Sequence, residues 1–253
     1  MAALPVTPMP TPQPEEPSLS EGARIIDTFI APSKTFTDLR RNSSWWAPWI
    51  LISIVTLLFV FVMSRQIGFE QISKNAIAQS SRAEQFERLP PEQQAKQLQL
   101  STTFARFISY SLPVVNLIVF LVIAAVLMAA FNFGAGASVP FKTSLAIVAY
   151  GSLPGIIGAA LGIISMFAGV DPAGFNAQNP VATNPAHFMD PSGNKFFYGM
   201  ASALDVFVIW SIVLMGIGFA CNSKVKRSTA IVIVAALYLI YKFVGAGLAA
   251  AVS

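Results

Sequence analysis

The stretch SALDVFVIWSIVLMGIGFACNSKVKR, residues 202–227, holds an uncharged apolar run between Asp205 and Lys224. A run of this kind is typical of a helix that crosses about 30 Å of hydrocarbon. In lipid such a segment must be helical, because only a helix satisfies its own backbone amides and carbonyls. The stretch therefore predicts a membrane span that starts beside Asp205 and ends before a basic cluster.

The composition of the whole chain also indicates a membrane protein. Of its 253 residues, 55% are hydrophobic and 11% are charged, and the mean hydropathy is +0.63. Ordinary soluble domains carry about 25% charged residues. The net charge of +4 lies in loops without a basic patch interleaved with aromatics, so no nucleic-acid partner is predicted. Cys221 and His187 are single, which leaves little material for metal sites or Ser-His catalysis.

Five segments are apolar and long enough to span a bilayer, which takes about 20 residues. They are Trp46–Met63, Ile108–Phe131, Ser144–Ala168, Leu204–Cys221 and Thr229–Val252. The sequence therefore predicts an all-α integral membrane protein, with five transmembrane helices in a membrane domain over residues 46–252.

Basic residues predict the orientation, because cytoplasmic loops carry an excess of Lys and Arg. Such residues precede the first span and join the fourth span to the fifth: Arg24, Lys34, Arg40, Arg41, Lys224, Lys226 and Arg227. The loop between the first two spans is also basic, but long loops cross the membrane with less regard to charge. We therefore expect a cytoplasmic N-terminus and an outer C-terminus.

The first 45 residues fall into two parts. Residues 1–20 are proline-rich and lack the regions of a signal peptide, which predicts a disordered tail. Residues 21–45 predict an amphipathic interfacial segment in which Phe36 and Leu39 share an apolar side. Its anchoring residues would be Lys34, Arg40, Arg41, Trp45, Trp46 and Trp49. Anchoring of the first span is the main interpretation, and recognition of an anionic lipid or a partner is the alternative.

The loop over residues 64–105 is predicted to be an extramembrane helical hairpin. Both IGFEQISKNAIAQ (67–79) and PPEQQAKQLQLSTTFARF (90–107) place apolar residues at helical spacing, and Pro91 suits a first helical position. The hairpin would cover the ends of the spans, or alternatively offer a docking surface.

Small residues and a proline mark the third span. Gly151, Gly155, Gly158 and Gly162 form a smooth stripe that lets neighbouring helices approach closely. Pro154 removes a backbone hydrogen bond and should kink the helix. Tight helix packing is the main interpretation, and a broken helix lining a transport site is the alternative.

Two charged residues lie at or within the last two spans. Ser202 and Asp205 have the spacing of a capping box for the fourth span. Lys242 lies inside the fifth span, where a charge is costly unless it is paired. A helix cap at Asp205 is therefore the main interpretation, and an intramembrane ion pair between Asp205 and Lys242 is the alternative.

The segments FIAPSKTFTDLRRN (29–42), AEQFERLPPEQQ (83–94), YGSLPG (150–155) and ALDVFVIWSIVLMGIGFACNSKVKRSTA (203–230) resemble bacterial members of the Yip-domain family. The resemblance runs from Leu19 to the C-terminus. It implies a five-helix membrane domain with a cytoplasmic N-terminus, here in a bacterial cytoplasmic membrane. Eukaryotic members associate with Rab GTPases in vesicle transport, a partner set that does not carry over to a bacterial-type chain.

These observations favour a non-enzymatic membrane protein that organises the bilayer, lipid or protein partners, with self-association open. A small-molecule transporter or permease component is the alternative, in which Lys242 and the kink at Pro154 would be the working parts. No cofactor and no metal site is predicted, because no cluster of catalytic or ligating residues occurs in the spans.

Overall fold

The computed structural model describes residues 18–80 and 82–251. Residues 1–17 of the predicted tail over residues 1–20, and the predicted end of the fifth span at Val252, lie outside this part of the chain. Within it the secondary structure is helical, with no strand. The α-helices are α1 (Glu21–Ile30), α2 (Pro32–Asp38), α3 (Trp46–Gln66), α4 (Phe69–Ala78), α5 (Ala83–Glu87), α6 (Pro91–Ala129), α7 (Phe141–Gly151), α8 (Gly155–Phe167), α9 (Lys195–Ser202), α10 (Val206–Cys221) and α11 (Arg227–Ala251).

Several of these helices can cross a membrane. Four described segments are long and apolar enough: α3, α6 with the π-helical turn that follows it, α7 together with α8, and α11. A fifth span exists if α9 and α10, which are bent by 56°, are counted as one. The prediction of an all-α multi-pass membrane protein is confirmed. The fifth span depends on the bent pair because α10 has 16 residues, only about 24 Å of helix.

The third span is broken rather than continuous. Helix α7 ends at Gly151, residues 152–154 form a turn, and α8 begins at Gly155. Pro154 has no amide hydrogen to donate. The turn is instead closed by hydrogen bonds between residues three apart, such as that from Gly155 N to Ser152 O at 3.1 Å. The α-helical hydrogen bonding is therefore interrupted in the middle of this span, although Phe141–Phe167 still counts as one candidate span.

The loop after the first span folds into a helical arm, residues 69–107. It consists of α4, α5 and the first turns of α6, which starts at Pro91 and continues without a break into the second span. The 39 residues of α6 extend about 58 Å, nearly twice the hydrocarbon thickness. Asn75 fastens the arm to the loop after α8 by donating to the carbonyls of Pro172 and Phe175, at 2.8 and 2.9 Å.

The apolar side of the N-terminal helices, which was predicted to contact the membrane interface, packs against other helices of the protein. Phe36 and Leu39 are fully buried in the main core and α2 packs on α10, whereas Ile26 and Ile30 are exposed. At the centre of this core the rings of Phe131 and Phe219 stack with centroids 4.2 Å apart. Helices α1 and α2 are thus an integral layer of the bundle.

The bundle has two ends, a basic end and an arm end. The basic end carries the turn over residues 222–226 between α10 and α11, together with the start of α7. The arm end carries α4, α5, α9 and the loop between α8 and α9.

Candidate functional site

Two adjoining cavities open at the arm end of the bundle. They measure about 610 and 540 Å³, and both are lined by Tyr198, Ser202 and Lys242. The larger lies between α4, α9 and α11, and the smaller reaches α8 and the start of α10. Together they form one recess, here termed the arm-end cleft, with Lys242 where the two parts meet.

Lys242 projects into the cleft from α11. It lies 15 residues beyond Arg227, which places it about 22 Å along the helix. The side chain is half-buried, and its Nζ donates to the Ser202 hydroxyl at 3.0 Å. The ion pairs recorded between described residues do not include Lys242. The cleft therefore contains a cation that no carboxylate of the described chain neutralises.

Asp205 lines the same cleft but has a different role from Lys242. It is the N-cap of α10, and its Oδ1 accepts from the amides of Phe207 and Val208 at 2.9 and 3.1 Å. Its Oδ2 accepts from the Thr183 hydroxyl and from Asn184 Nδ2. Four donors and the positive end of the helix dipole thus balance this carboxylate.

The structure corrects two details of the sequence analysis at this site. Ser202 takes no part in a capping box, because its hydroxyl belongs to α9 and donates to the Gly199 carbonyl at 2.8 Å. The direct pair between Asp205 and Lys242 is not made among the described contacts, although the two side chains line one cleft. The amides of Phe207 and Val208 donate to Asp205, the Val206 amide donates to the Thr183 carbonyl, and Lys242 donates to a hydroxyl instead of to Asp205.

The predicted glycine stripe divides between packing and cleft. A Cβ added at Gly151 would lie 2.6 Å from Met215 Cγ, and one at Gly162 would lie 2.7 Å from the Phe59 ring. Gly155 has open space, and Gly158 faces the Phe207 ring at 3.1 Å. Gly155 and Gly158 line the cleft opposite Lys242. Because α8 begins directly after Pro154, the glycine-lined wall of the cleft begins at Gly155.

The residues predicted as an interfacial anchor do not form one surface, because they have different partners and different exposure. Lys34 pairs with Asp27 at 2.8 Å, Arg40 donates to the Cys221 carbonyl, and Arg41 follows α2. Trp45 and Trp49 contact each other with centroids 6.2 Å apart, whereas Trp46 is about half exposed. Trp49 also donates to the Pro113 carbonyl at 3.1 Å, so it joins α3 to α6.

Sequence reasoning missed a buried ionic cluster at the N-terminal helices. Arg24 is fully buried, with its Nε and Nη2 at 2.7 and 2.6 Å from Asp38 Oδ2 and its Nη1 at 3.3 Å from Glu21. The Tyr150 hydroxyl, at the end of α7, donates to Glu21 at 2.6 Å. Burial lowers the pKa of Arg24, but the hydrogen bond and charge of Asp38 raise it more, so the guanidinium stays charged.

This cluster had a signal in the sequence. Glu21, Arg24 and Thr28 recur at intervals of three and four, which places them on one face of α1. The sequence analysis used Arg24 only as a topology signal, yet this polar face of α1 turns inward. Periodicity identifies a polar face without stating which way that face points.

The comparison with known families agrees with this architecture. The Yip1 domain model matches residues 26–248, which include the second half of α1, the helices from α2 to α10, most of α11 and every residue named at the arm-end cleft. The chain belongs to the Yip1 domain family. No curated protein and no solved structure matches this Yip1 domain protein.

Variants at the cleft test whether Asp205 and Lys242 act together. Asp205→Ala is expected to lower the free energy of unfolding by about 0.5–2 kcal/mol, because α10 loses its cap. We expect Lys242→Ala to change it little and the double variant to be additive within about 0.5 kcal/mol. Thermal unfolding in detergent measures all three, and rescue of one variant by the other would instead establish an ion pair.

Proposed function

We propose that this Yip1 domain protein is a non-enzymatic multi-pass protein that organises the bilayer by holding an anionic amphiphile, a membrane lipid, in the arm-end cleft. The observation that carries the proposal is Lys242, a half-buried cation without a carboxylate partner in the described chain, facing the smooth wall of Gly155 and Gly158. A cation inside a span is expected to mark a functional site, because an unpaired charge there is costly.

The chemistry of the cleft suits a molecule with one charged end and one apolar end. Lys242 and Tyr198 provide an amine and a hydroxyl in the same recess, which can bind a phosphate or carboxylate, and Ser202 orients the amine. Phe207, Val208 and Ala159 extend an apolar surface from there along α10 and α8. Four donors and the positive end of the α10 dipole offset part of the negative charge of Asp205, which also lines the cleft.

We place the protein in a bacterial cytoplasmic membrane with its N-terminus on the cytoplasmic side. The support is the distribution of basic residues: the turn before α11 carries Lys224, Lys226 and Arg227. This orientation would put the arm and its cleft at the outer face. Cysteine accessibility measured from each side of sealed membranes, at Ser228→Cys and Gln93→Cys in a Cys221→Ala background, tests the assignment.

Native mass spectrometry after gentle purification of the full chain tests the lipid-binding function. We expect a co-purifying anionic lipid on the wild-type protein. Lys242→Met should reduce the occupied fraction about tenfold, because the variant loses a charge-assisted contact. Lys96→Met removes an exposed lysine of the arm that does not line the cleft, and it should retain the lipid. A stoichiometric protein partner with no bound lipid would overturn the lipid assignment.

Transport of a small anionic amphiphile is a second candidate function. It is favoured by the break at residues 152–154, which lies in a span that forms one wall of the cleft. Broken helices line substrate sites in many transporters. Uptake of a labelled fatty acid into proteoliposomes, abolished in Lys242→Met, would support transport, and lipid binding without uptake would support the organising function.

A further inference from the structure

A separate cavity of about 790 Å³ opens at the basic end of the bundle. It joins three segments that are far apart in the sequence: Arg40 after α2, the loop over residues 134–138 after α6, and the turn over residues 222–226 before α11. Thr229 and Ile233 of α11 complete its wall. The sequence analysis used the basic residues before α3 and before α11 as topology signals and assigned Arg40 also to the interfacial anchor, but it did not bring the two segments together in one site.

The cavity is strongly positive. Arg40, Lys224 and Lys226 line it, and none of its lining residues is an Asp or Glu. The ion pairs recorded between described residues leave these three side chains out. Three like charges gathered in one recess repel each other, so their arrangement is favourable when an anion lies between them.

Hydrogen bonds fix the walls of the cavity before any anion arrives. The Asn132 side chain bonds both to the carbonyl and to the amide of Val139, at 3.0 and 2.9 Å, which closes the loop over residues 134–138. Gly136 has a φ of 64°, a conformation that glycine adopts readily. Asn222 donates to the Phe36 carbonyl at 2.8 Å and so holds the opposite wall to α2.

The position of the cavity indicates where its ligand comes from. It lies where α6 and α10 end and α11 begins, at the ends of apolar spans. Lipid headgroups occupy this level, and basic pockets between spans bind anionic ones. Arg40 supplies a planar guanidinium that suits phosphate oxygens, while the two lysines supply mobile point charges.

We propose that the basic-end cavity binds the phosphate headgroup of an anionic phospholipid, held by Arg40, Lys224 and Lys226. This site lies at the opposite end of the bundle from the arm-end cleft and depends on different residues. The same three cations do more than set topology, because they converge on one recess, whereas Lys142 at the same end is exposed and lines no part of it.

The test compares two double variants with equal loss of charge. Lys224→Gln/Lys226→Gln removes two lysines of the cavity, and Lys142→Gln/Lys96→Gln removes two exposed lysines elsewhere. Full-length protein in detergent is titrated with phosphatidylglycerol or phosphatidylcholine, and bound lipid is counted by native mass spectrometry. Equal melting temperatures for the three proteins establish that each one folds.

We expect the wild-type protein and the control double variant to prefer phosphatidylglycerol, and the cavity variant to lose that preference about tenfold or more. An equal loss in both double variants would overturn the proposal in favour of general surface charge. Retention of inorganic phosphate by the wild-type protein without any preference for phosphatidylglycerol would overturn the lipid as ligand in favour of a soluble anion. The comparison is repeated in a Lys242→Met background, in which the arm-end cleft has lost its lipid, and the same loss of preference on Lys224→Gln/Lys226→Gln separates the result from that cleft.

Discussion

Replacement of Arg24 by methionine is expected to lower the free energy of unfolding by about 3–5 kcal/mol. The variant leaves Asp38 buried without its cation, and breaking a buried pair on one side costs this much. The loss also reaches Glu21, whose other oxygen accepts from Tyr150 of α7. Thermal unfolding followed by tryptophan fluorescence in detergent, with the folded yield from size exclusion, measures the effect.

An exposed ion pair provides the matched control for this variant. Lys74 and Glu70 lie one turn apart on α4, with both side chains half exposed or more. Lys74→Met is expected to change the free energy of unfolding by less than about 1 kcal/mol, as exposed pairs do. Equal melting temperatures for Arg24→Met and Lys74→Met would contradict a stabilising role for the buried cluster.

A second variant separates the ion pair from the space it fills. Arg24→Met/Asp38→Leu removes both charges, and apolar residues of similar volume often replace a buried pair at little cost. We therefore expect the double variant to recover part of the stability that Arg24→Met loses. No recovery would mean that the Arg24 side chain stabilises the bundle by its packing rather than through its carboxylate partner.

The fold class could be predicted from the sequence because it rests on length and apolarity. A run such as residues 206–221 has few alternatives in a chain with so few charges. The precise end of such a span is set by one cap, and Asp205 moved the start of α10 beyond the predicted Leu204. The hydrophobic pattern did not predict the bend between α9 and α10, because apolar residues lie on both sides of it.

Burial of α1 and α2 could not be predicted in the same way. Their amphipathic pattern is satisfied equally by a membrane surface and by the flank of a helix bundle. What decides between them is a set of long-range contacts, such as the hydrogen bond from Asn222 to the Phe36 carbonyl across 186 positions. A single sequence contains no direct sign of such pairings.

The small-residue stripe was predicted on α8, yet the closest approach between helix backbones at a glycine lies on α10. A Cβ added at Gly216 would be 2.6 Å from Ile231 Cα and 2.9 Å from Ile231 N of α11. Gly216 and Gly218 lie in an apolar run, residues 206–221, whose other residues are mostly large, so they did not form a recognisable stripe. Spacing alone identifies a small residue without identifying the helix it faces, so Gly155 was favoured although its surroundings are open.

Gly216→Ala is accordingly expected to lower the free energy of unfolding by about 1–3 kcal/mol, the usual cost of overpacking. The added methyl group meets backbone atoms of α11, which cannot move aside as a side chain can, so α10 and α11 must separate. These two helices have the most extensive contact between elements in the bundle. The melting temperature in detergent and the yield of monodisperse protein report the loss.

Gly155→Ala is the matched control, since it adds the same methyl group to a helix where no heavy atom lies within 4 Å. Its effect should stay within about 1 kcal/mol, because only the helix propensity changes. A large loss at Gly155 with none at Gly216 would contradict the packing of α10 on α11 described above. It would also indicate that the glycine stripe of the third span, rather than Gly216, lies at a close contact between helices.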